Sequence, residues 1–178
     1  MSSIIVNDKK FERYISSDEI QSRIVELASQ ITSDYHDKEV CFVTVLNGAL
    51  FFTSDLLLNI NTPCTLQSVK CKSYHGMEST GKIEFQLPFT NEIKGKHVIF
   101  IEDIVDTGTT LHFLLNEINA FQPASVAICS LLFKPEALKS PIDIKYVGFE
   151  IPKVFVLGYG LDYDGLGRNY RDIYKIIS

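Results

Sequence analysis

The sequence predicts an α/β protein in which a parallel β-sheet core is flanked by helices. Short β-branched apolar runs that fit buried strands alternate with segments of helical periodicity along most of the chain. The length of 178 residues favours a single domain with a core of its own. A content of 46% hydrophobic and 22% charged residues is ordinary for globular proteins, which excludes a disordered, collagen-like or coiled-coil chain.

The first half of the chain supplies two predicted helices and two predicted strands. Ser16 and Glu19 have the spacing of a capping box, and they predict a helix over 16–32. Its apolar stripe would consist of Ile20, Ile24, Leu27 and Ile31. We expect strands over 40–46 and 64–72, and a helix over 49–58. Residues 73–84 are polar, contain two glycines and predict a long loop.

The second half of the chain continues the alternation. A strand is predicted over 97–101 and a helix over 107–121, before an apolar strand over 125–133. The inner side of that helix would carry Leu111, Leu114, Leu115 and Ile118. Two further strand candidates are 144–149 and 153–158.

Net charge and cysteine usage limit the partners and the location that are compatible with the sequence. With 17 basic and 22 acidic residues the formal net charge is −5, which argues against a general nucleic-acid partner. A phosphate ligand would have to be held by local donors or a metal ion. No apolar stretch approaches the roughly 18 residues of a membrane span, and no signal peptide is visible. Four cysteines without a Cys-x-x-Cys pattern then suggest a cytoplasmic location.

The segment VIFIEDIVDTGTTL, residues 98–111, carries the clearest chemical signal. An apolar strand ends in Glu102 and Asp103, and the run Asp106–Thr110 leads into the predicted helix. Alone, adjacent acids are usually a solvated loop edge, and Thr-Gly-Thr-Thr is usually a helix cap. Together they place carboxylates beside a helix N-terminus, whose free N–H groups favour anions. Such a junction suits a phosphorylated sugar, with phosphate on the amides and hydroxyls on the acids.

This segment resembles the phosphoribosyl-pyrophosphate (PRPP) signature of type I phosphoribosyltransferases. More closely, the chain resembles hypoxanthine-guanine phosphoribosyltransferases from about residue 40 to 172. The supporting blocks are 45–52, 72–83, 130–138 and 147–173. The resemblance implies one phosphoribosyltransferase domain over 1–178. Its core would span about 16–135, and a small hood would come from the N-terminal segment and about 136–178.

The resemblance also implies an activity in purine salvage. Such enzymes move the 5-phosphoribosyl group of PRPP to N9 of hypoxanthine or guanine, with Mg²⁺, and give IMP or GMP plus pyrophosphate. Glu102 and Asp103 would hold the ribose hydroxyls and a Mg²⁺ ion. Asp106 would act as the general acid/base at the purine N7. The 5-phosphate would be bound by Asp106, Thr107, Gly108, Thr109 and Thr110.

Further roles follow from the same resemblance. At the purine, Lys134 would donate to the 6-oxo group, Phe155 would stack on the ring, and the Val156 carbonyl would touch the 2-position. Asp162 would lie near the base and bind a second Mg²⁺. The base-binding set is therefore Lys134, Phe155, Val156 and Asp162.

The leaving pyrophosphate would meet Arg168 and the loop 46–49, which includes Asn47 and Gly48. Family members can hold a non-proline cis peptide in that loop, and many carry lysine where this chain has Asn47. Ser73 and Tyr74 would belong to a lid over 73–84. Family members are commonly dimers or tetramers, so a homo-oligomer is expected, without a nucleic-acid or membrane partner.

Two other functions compete with this one. A regulator of nucleic acid on the same fold would keep the phosphate loop but lose the base-handling residues and need a basic face, whereas Lys134 and Phe155 are present and the charge is −5. A phosphotransfer receiver domain needs an acid pair near its N-terminus, and the pair here lies past residue 100. The preference among hypoxanthine, guanine and xanthine stays open, because the shape of the pocket at the 2-position cannot be inferred from sequence.

Overall fold

The described part of the chain forms two β-sheets and three α-helices. The computed structural model describes residues 3–73 and 83–177. The strands are β1 (Ser3–Val6), β2 (Lys9–Ile15), β3 (Val40–Val45), β4 (Cys64–Ser73), β5 (Ile83–Leu87), β6 (His97–Val105), β7 (Ser125–Phe133), β8 (Tyr146–Glu150), β9 (Val156–Leu157) and β10 (Ile173–Ile176). The helices are α1 (Ser17–Asp34), α2 (Leu50–Leu58) and α3 (Thr109–Ile118).

The larger sheet has six strands in the order β5-β4-β3-β6-β7-β8. Its pairings are parallel except for that of β5, which runs antiparallel to β4. One face packs on α1 and α2, and the other packs on α3, so both faces are covered by apolar side chains. This arrangement confirms the predicted α/β class with a parallel core flanked by helices.

Helix α1 begins where the capping box predicts. The Ser16 hydroxyl accepts from the Glu19 N–H, and the Glu19 carboxylate accepts from the Ser16 N–H. The predicted stripe is buried along the helix, together with Ala28. Sequence spacing therefore set both the start of the helix and the face that packs on the sheet.

The central strand β6 is longer than predicted. It continues to Val105 because β7 stays paired with it, with Glu102 opposite Ser130 and Val105 opposite Phe133. On the other side, the register with β3 ends at Ile101 opposite Thr44. The acid pair thus belongs to the end of the strand rather than to the loop after it. Helix α3 starts later than predicted, at Thr109, because Gly108 is left-handed (φ 75°) and cannot be part of a regular helix.

The smaller sheet joins the two ends of the chain, in the order β1-β2-β10-β9. Four strands, β1, β2, β5 and β10, have no counterpart among the strands predicted from the sequence. The candidate at 144–149 appears as β8 and pairs with β7 in the larger sheet, although the predicted hood began at about residue 136. Within the described residues, no helix is both long and apolar enough to cross a membrane.

Candidate active site

A cavity of about 320 Å³ opens at the carboxyl end of β6. Four parts of the chain line it: the end of β6 with the first turn of α3, the end of β3 with the loop that follows it, one residue of β4, and the segment between β9 and β10. In parallel sheets such a position is the usual one for ligands. The cavity brings together most of the predicted site residues: Gly48, Glu102, Asp103, Asp106, Thr107, Gly108, Thr109, Thr110, Asp162 and Arg168.

The carboxyl groups of Glu102 and Asp103 are poorly solvated. Glu102 is only 7% exposed. Burial, and then the charge of Asp103, raise the pKa of the Glu102 carboxyl well above its usual range. Burial raises the pKa of Asp103 to about 6. Two weaker effects lower it: the Ile104 N–H donates to Oδ1 of Asp103 at 2.8 Å, and Arg168 contributes its positive charge. Two such carboxyls gain from a cation or from hydroxyl donors brought by a ligand.

The loop after β3 closes one side of the acid pair. The peptide between Leu46 and Asn47 is cis, as the resemblance implied. A Cβ atom on Gly48 would lie 1.6 Å from Oδ2 of Asp103. A side chain at position 48 would therefore displace the Asp103 carboxylate, so glycine lets the loop backbone approach the acids.

The first turn of α3 faces the same cavity. Gly108, the N-cap residue, has no side chain that could cap the helix, and the Thr109 N–H makes only a long hydrogen bond, 3.4 Å, to the Thr107 hydroxyl. The N–H groups of this first turn therefore remain available to a ligand in the cavity that the turn lines. The hydroxyls of Thr107 and Thr109 lie 3.0 Å apart and turn the loop around Gly108. The Lys139 N–H donates to the Thr107 carbonyl at 3.2 Å and fixes the loop from outside. The junction offers donors of the kind that bind a phosphate group.

Asp106 and Lys134 form an ion pair at the edge of this cavity. The Lys134 Nζ atom lies 2.7 Å from Oδ2 of Asp106. The lysine side chain is 8% exposed, whereas that of Asp106 is 43% exposed. The Lys134 backbone is fixed at the end of β7 by its N–H bond to the Val105 carbonyl. A buried cation is therefore aimed at a half-exposed acid.

Asp162 and Arg168 close the cavity from the side of the smaller sheet. The Arg168 Nη2 atom lies 2.7 Å from Oδ1 of Asp162, and its Nη1 donates to the Gly160 carbonyl at 2.6 Å. The Gly165 N–H donates to Oδ2 of Asp162 at 2.7 Å. The guanidinium group is thus held at two points and directed toward the acids of β6.

Some predicted residues lie outside this lining. Among the described residues, the cavity lining does not include Asn47, Lys134, Phe155 or Val156. Phe155 precedes β9 and is 43% exposed, and Val156 is buried in the smaller sheet. The side chain of Ser73 and all of Tyr74 lie outside the described part of the chain.

Cys71 also belongs to the site, although no motif in the sequence predicts it. It lines the cavity from β4, and burial, with a smaller effect of Glu102, raises the pKa of its thiol to about 11. The only signal in the sequence is its place just before the predicted lid.

Comparison with known proteins identifies the family. The model of the phosphoribosyl transferase domain matches residues 16–164. The chain belongs to the phosphoribosyl transferase family. A hypoxanthine phosphoribosyltransferase of Haemophilus influenzae is 38% identical over 92% of this chain and 93% of that protein.

Other members of the phosphoribosyl transferase family are equally similar. A hypoxanthine-guanine-xanthine phosphoribosyltransferase of Tritrichomonas foetus is 38% identical over 86% of this chain and 85% of that protein. The crystal structure of a hypoxanthine phosphoribosyltransferase from Staphylococcus aureus superimposes with a TM-score of 0.88 at 39% identity, over 93% of this chain and 91% of that one. The similarity spans nearly the whole chain, and it confirms the predicted type I phosphoribosyltransferase fold.

Proposed function

We propose that this protein is a Mg²⁺-dependent hypoxanthine-guanine phosphoribosyltransferase that forms IMP or GMP and pyrophosphate from PRPP and the base. One observation carries the proposal: a single strand-to-helix junction presents the buried Glu102, the partly buried Asp103 and a helix N-terminus with glycine at its N-cap to the same cavity. The names of the similar proteins support the choice of a 6-oxopurine as acceptor. They also favour an enzyme over a nucleic-acid regulator.

The donor would bind along this junction. The phosphate accepts from the N–H groups of Thr107–Thr110, where the end of the helix carries partial positive charge. The ribose hydroxyls donate to Glu102 and Asp103, whose raised pKa values show that each carboxylate lacks sufficient compensation for its charge. Acids and amides at opposite ends of one segment match a molecule that carries hydroxyls and phosphate at opposite ends.

The donor set fits Mg²⁺. This ion is commonly held by one or two carboxylates, while substrate phosphates and waters complete its shell. Glu102 and Asp103 supply such a pair. When bound, the ion would offset the negative charge on the leaving pyrophosphate. Both oxygens of Asp162 already accept a hydrogen bond, so a second ion there would use its remaining lone pairs.

The acceptor base would lie between the ion pair and the ring of Phe155. Asp106 takes or gives the proton at N7, and Lys134 donates to the 6-oxo group. Because the two side chains contact each other in this structure, the base has to enter between them or share the lysine. The ring of Phe155 is supported by Phe11 and Tyr163, at centroid distances of 6.2 and 5.7 Å, and its exposed face is free to stack on a purine.

The leaving group would lie between the loop 46–49 and Arg168. Backbone N–H groups of the loop and the planar guanidinium both suit pyrophosphate oxygens. Asn47 contributes an amide instead of the positive charge that many relatives have at this position. The segment 73–84 would close over the site and exclude water from the oxocarbenium-like transition state of the ribose.

A panel of four bases tests this proposal. Purified protein with PRPP and Mg²⁺ is given hypoxanthine, guanine, xanthine or adenine, and nucleotide formation is followed by absorbance and chromatography. Turnover of hypoxanthine and guanine, lost on chelation of the metal, is the expected result. Absence of turnover with every 6-oxopurine would contradict the proposal. The rate with xanthine shows whether xanthine is also a substrate. The name of the T. foetus relative includes xanthine, whereas that of the H. influenzae relative does not.

A further inference from the structure

We propose that Tyr159 and Asp55 are positioning residues for the pyrophosphate end of the site: their hydrogen bond holds Gly160 against both the loop 46–49 and Arg168. The inference rests on the proposed function and adds two residues to which no sequence pattern assigns a role. Neither residue lines the 320 Å³ cavity described above, as far as the structure describes the chain. They act on the site through the backbone of Gly160.

Tyr159 has an unusual backbone conformation. Its φ angle is 49°, and its neighbours Gly158 and Gly160 have φ angles of 101° and 100°. A left-handed conformation is easy for glycine but unfavourable for a residue with a ring at Cβ, so it persists only where the surroundings hold it. The Tyr159 N–H donates to the Tyr170 carbonyl at 2.8 Å, and the side chain is almost fully buried.

The hydroxyl of Tyr159 supplies the main tertiary anchor. It donates to Oδ2 of Asp55 at 2.5 Å, across 104 positions of sequence. The Nε2 of Gln21 donates to the same oxygen at 2.6 Å. One carboxylate therefore ties the segment after β9 to both α1 and α2, and α2 begins directly after the loop 46–49.

Gly160, the residue after Tyr159, contacts two parts of the site. A Cβ atom on Gly160 would lie 2.0 Å from the Gly48 carbonyl oxygen, so the two backbones are in direct contact. The Gly160 carbonyl accepts from Nη1 of Arg168 at 2.6 Å, and the Gly160 N–H donates to the Arg168 carbonyl at 2.9 Å. Both elements expected to hold pyrophosphate thus contact one residue, which is next to Tyr159 in the chain.

The chain offers a matched control for this bond. Tyr146 is also buried and donates its hydroxyl to an aspartate on a helix, Oδ2 of Asp34, at 2.6 Å across 112 positions. That bond joins the end of α1 to β8 and is not part of the site lining. Tyr159→Phe and Tyr146→Phe remove one hydroxyl of the same kind, so a purely structural role predicts the same behaviour for both variants.

The test compares these variants by steady-state kinetics and thermal unfolding. For Tyr159→Phe we expect the KM for PRPP, and the KM for pyrophosphate in the reverse reaction, to rise at least about tenfold, because small displacements of positioned groups are costly. The KM for the base should stay within about twofold, since the base contacts are elsewhere. Tyr146→Phe should lower the melting temperature by a similar amount and leave all three KM values unchanged.

Asp55 gives an independent readout if Tyr159→Phe does not fold. Asp55→Asn keeps an oxygen that can accept from the tyrosine and should retain most of the affinity for PRPP, whereas Asp55→Ala should reproduce the effect of Tyr159→Phe. Equal KM values for Tyr159→Phe and Tyr146→Phe, or for the two Asp55 variants, would overturn the inference. Absence of turnover by the unmodified protein would instead count against the proposed function, and pyrophosphate binding measured by calorimetry would still separate the variants.

Discussion

Replacing Lys134 by glutamine should change the choice of base far more than the stability of the fold. The lysine side chain is 8% exposed and pairs with Asp106 at 2.7 Å. In the variant, water can replace the lysine, because the Asp106 side chain is 43% exposed. We therefore expect the free energy of unfolding to change by no more than about 1 kcal/mol, because the charge that remains, on Asp106, is solvated like that of an exposed pair.

The effect on the base is larger because a charged donor is lost inside the site. A hydrogen bond to a charged group contributes about 1.5–3 kcal/mol, which corresponds to a loss of roughly 10- to 150-fold in kcat/KM for hypoxanthine. Adenine presents an amino donor at the same position, and glutamine can accept from it, so its kcat/KM should stay or rise. The ratio of the two kcat/KM values should fall at least about tenfold.

Initial rates with each base at saturating PRPP, together with urea unfolding, measure both quantities. Lys96→Gln is the control, since Lys96 precedes β6 at the opposite end of the strand and bonds only weakly to Thr65, at 3.4 Å. An unchanged ratio in Lys134→Gln, at unchanged stability, would refute the role assigned to Lys134. A loss of several kcal/mol in stability would refute the argument from the exposure of Asp106.

Three other substitutions test separate parts of the structure. Asp106→Asn keeps the shape but loses basicity, so kcat should fall by about 10²–10⁴ while PRPP still binds, and a kcat within threefold of the unmodified protein would contradict acid/base catalysis by Asp106. Gly48→Ala must displace the Asp103 carboxylate and should lower kcat/KM for PRPP at least about tenfold. In Gly95→Ala the Cβ would meet nothing within 4 Å, but φ is 73°, so this control should lose some stability and leave kcat/KM unchanged in the same assay. Phe52→Ala empties a fully buried position on α2 and should cost about 3–5 kcal/mol in urea unfolding, so a loss below 1 kcal/mol would show that this core can close around the gap.

The elements best predicted from sequence were those whose signals are local. The capping box at Ser16 and Glu19 and the apolar stripe of α1 depend only on spacing within one helix, and both are confirmed. The buried strands β3 and β7 were also found within a residue of their bounds, since their apolar runs are continuous. Local chemistry likewise located the acid pair and the loop that leads into α3.

The elements that were missed depend on distant partners. Strand β10 is short and mixed in composition, and it becomes a strand because it pairs with β2 and β9. The end of β6 was placed too early because two acids after an apolar run resemble a loop, whereas pairing with β7 keeps them in the sheet. The contact of Lys134 with Asp106, and the anchor of Tyr159 on Asp55, join residues 28 and 104 positions apart and have no signature in the sequence.

The unequal pairing of β6 has a consequence for how such a protein can diverge. Beyond Ile101 the strand is paired with β7 but no longer with β3, so the main chain of 102–105 turns one edge toward the loop and the cavity. Contacts made by peptide groups survive any change of side chain, apart from proline. Mutational drift can therefore change the side chains around the cavity, such as those near β9, while the backbone groups on this edge of β6 are inherited unchanged.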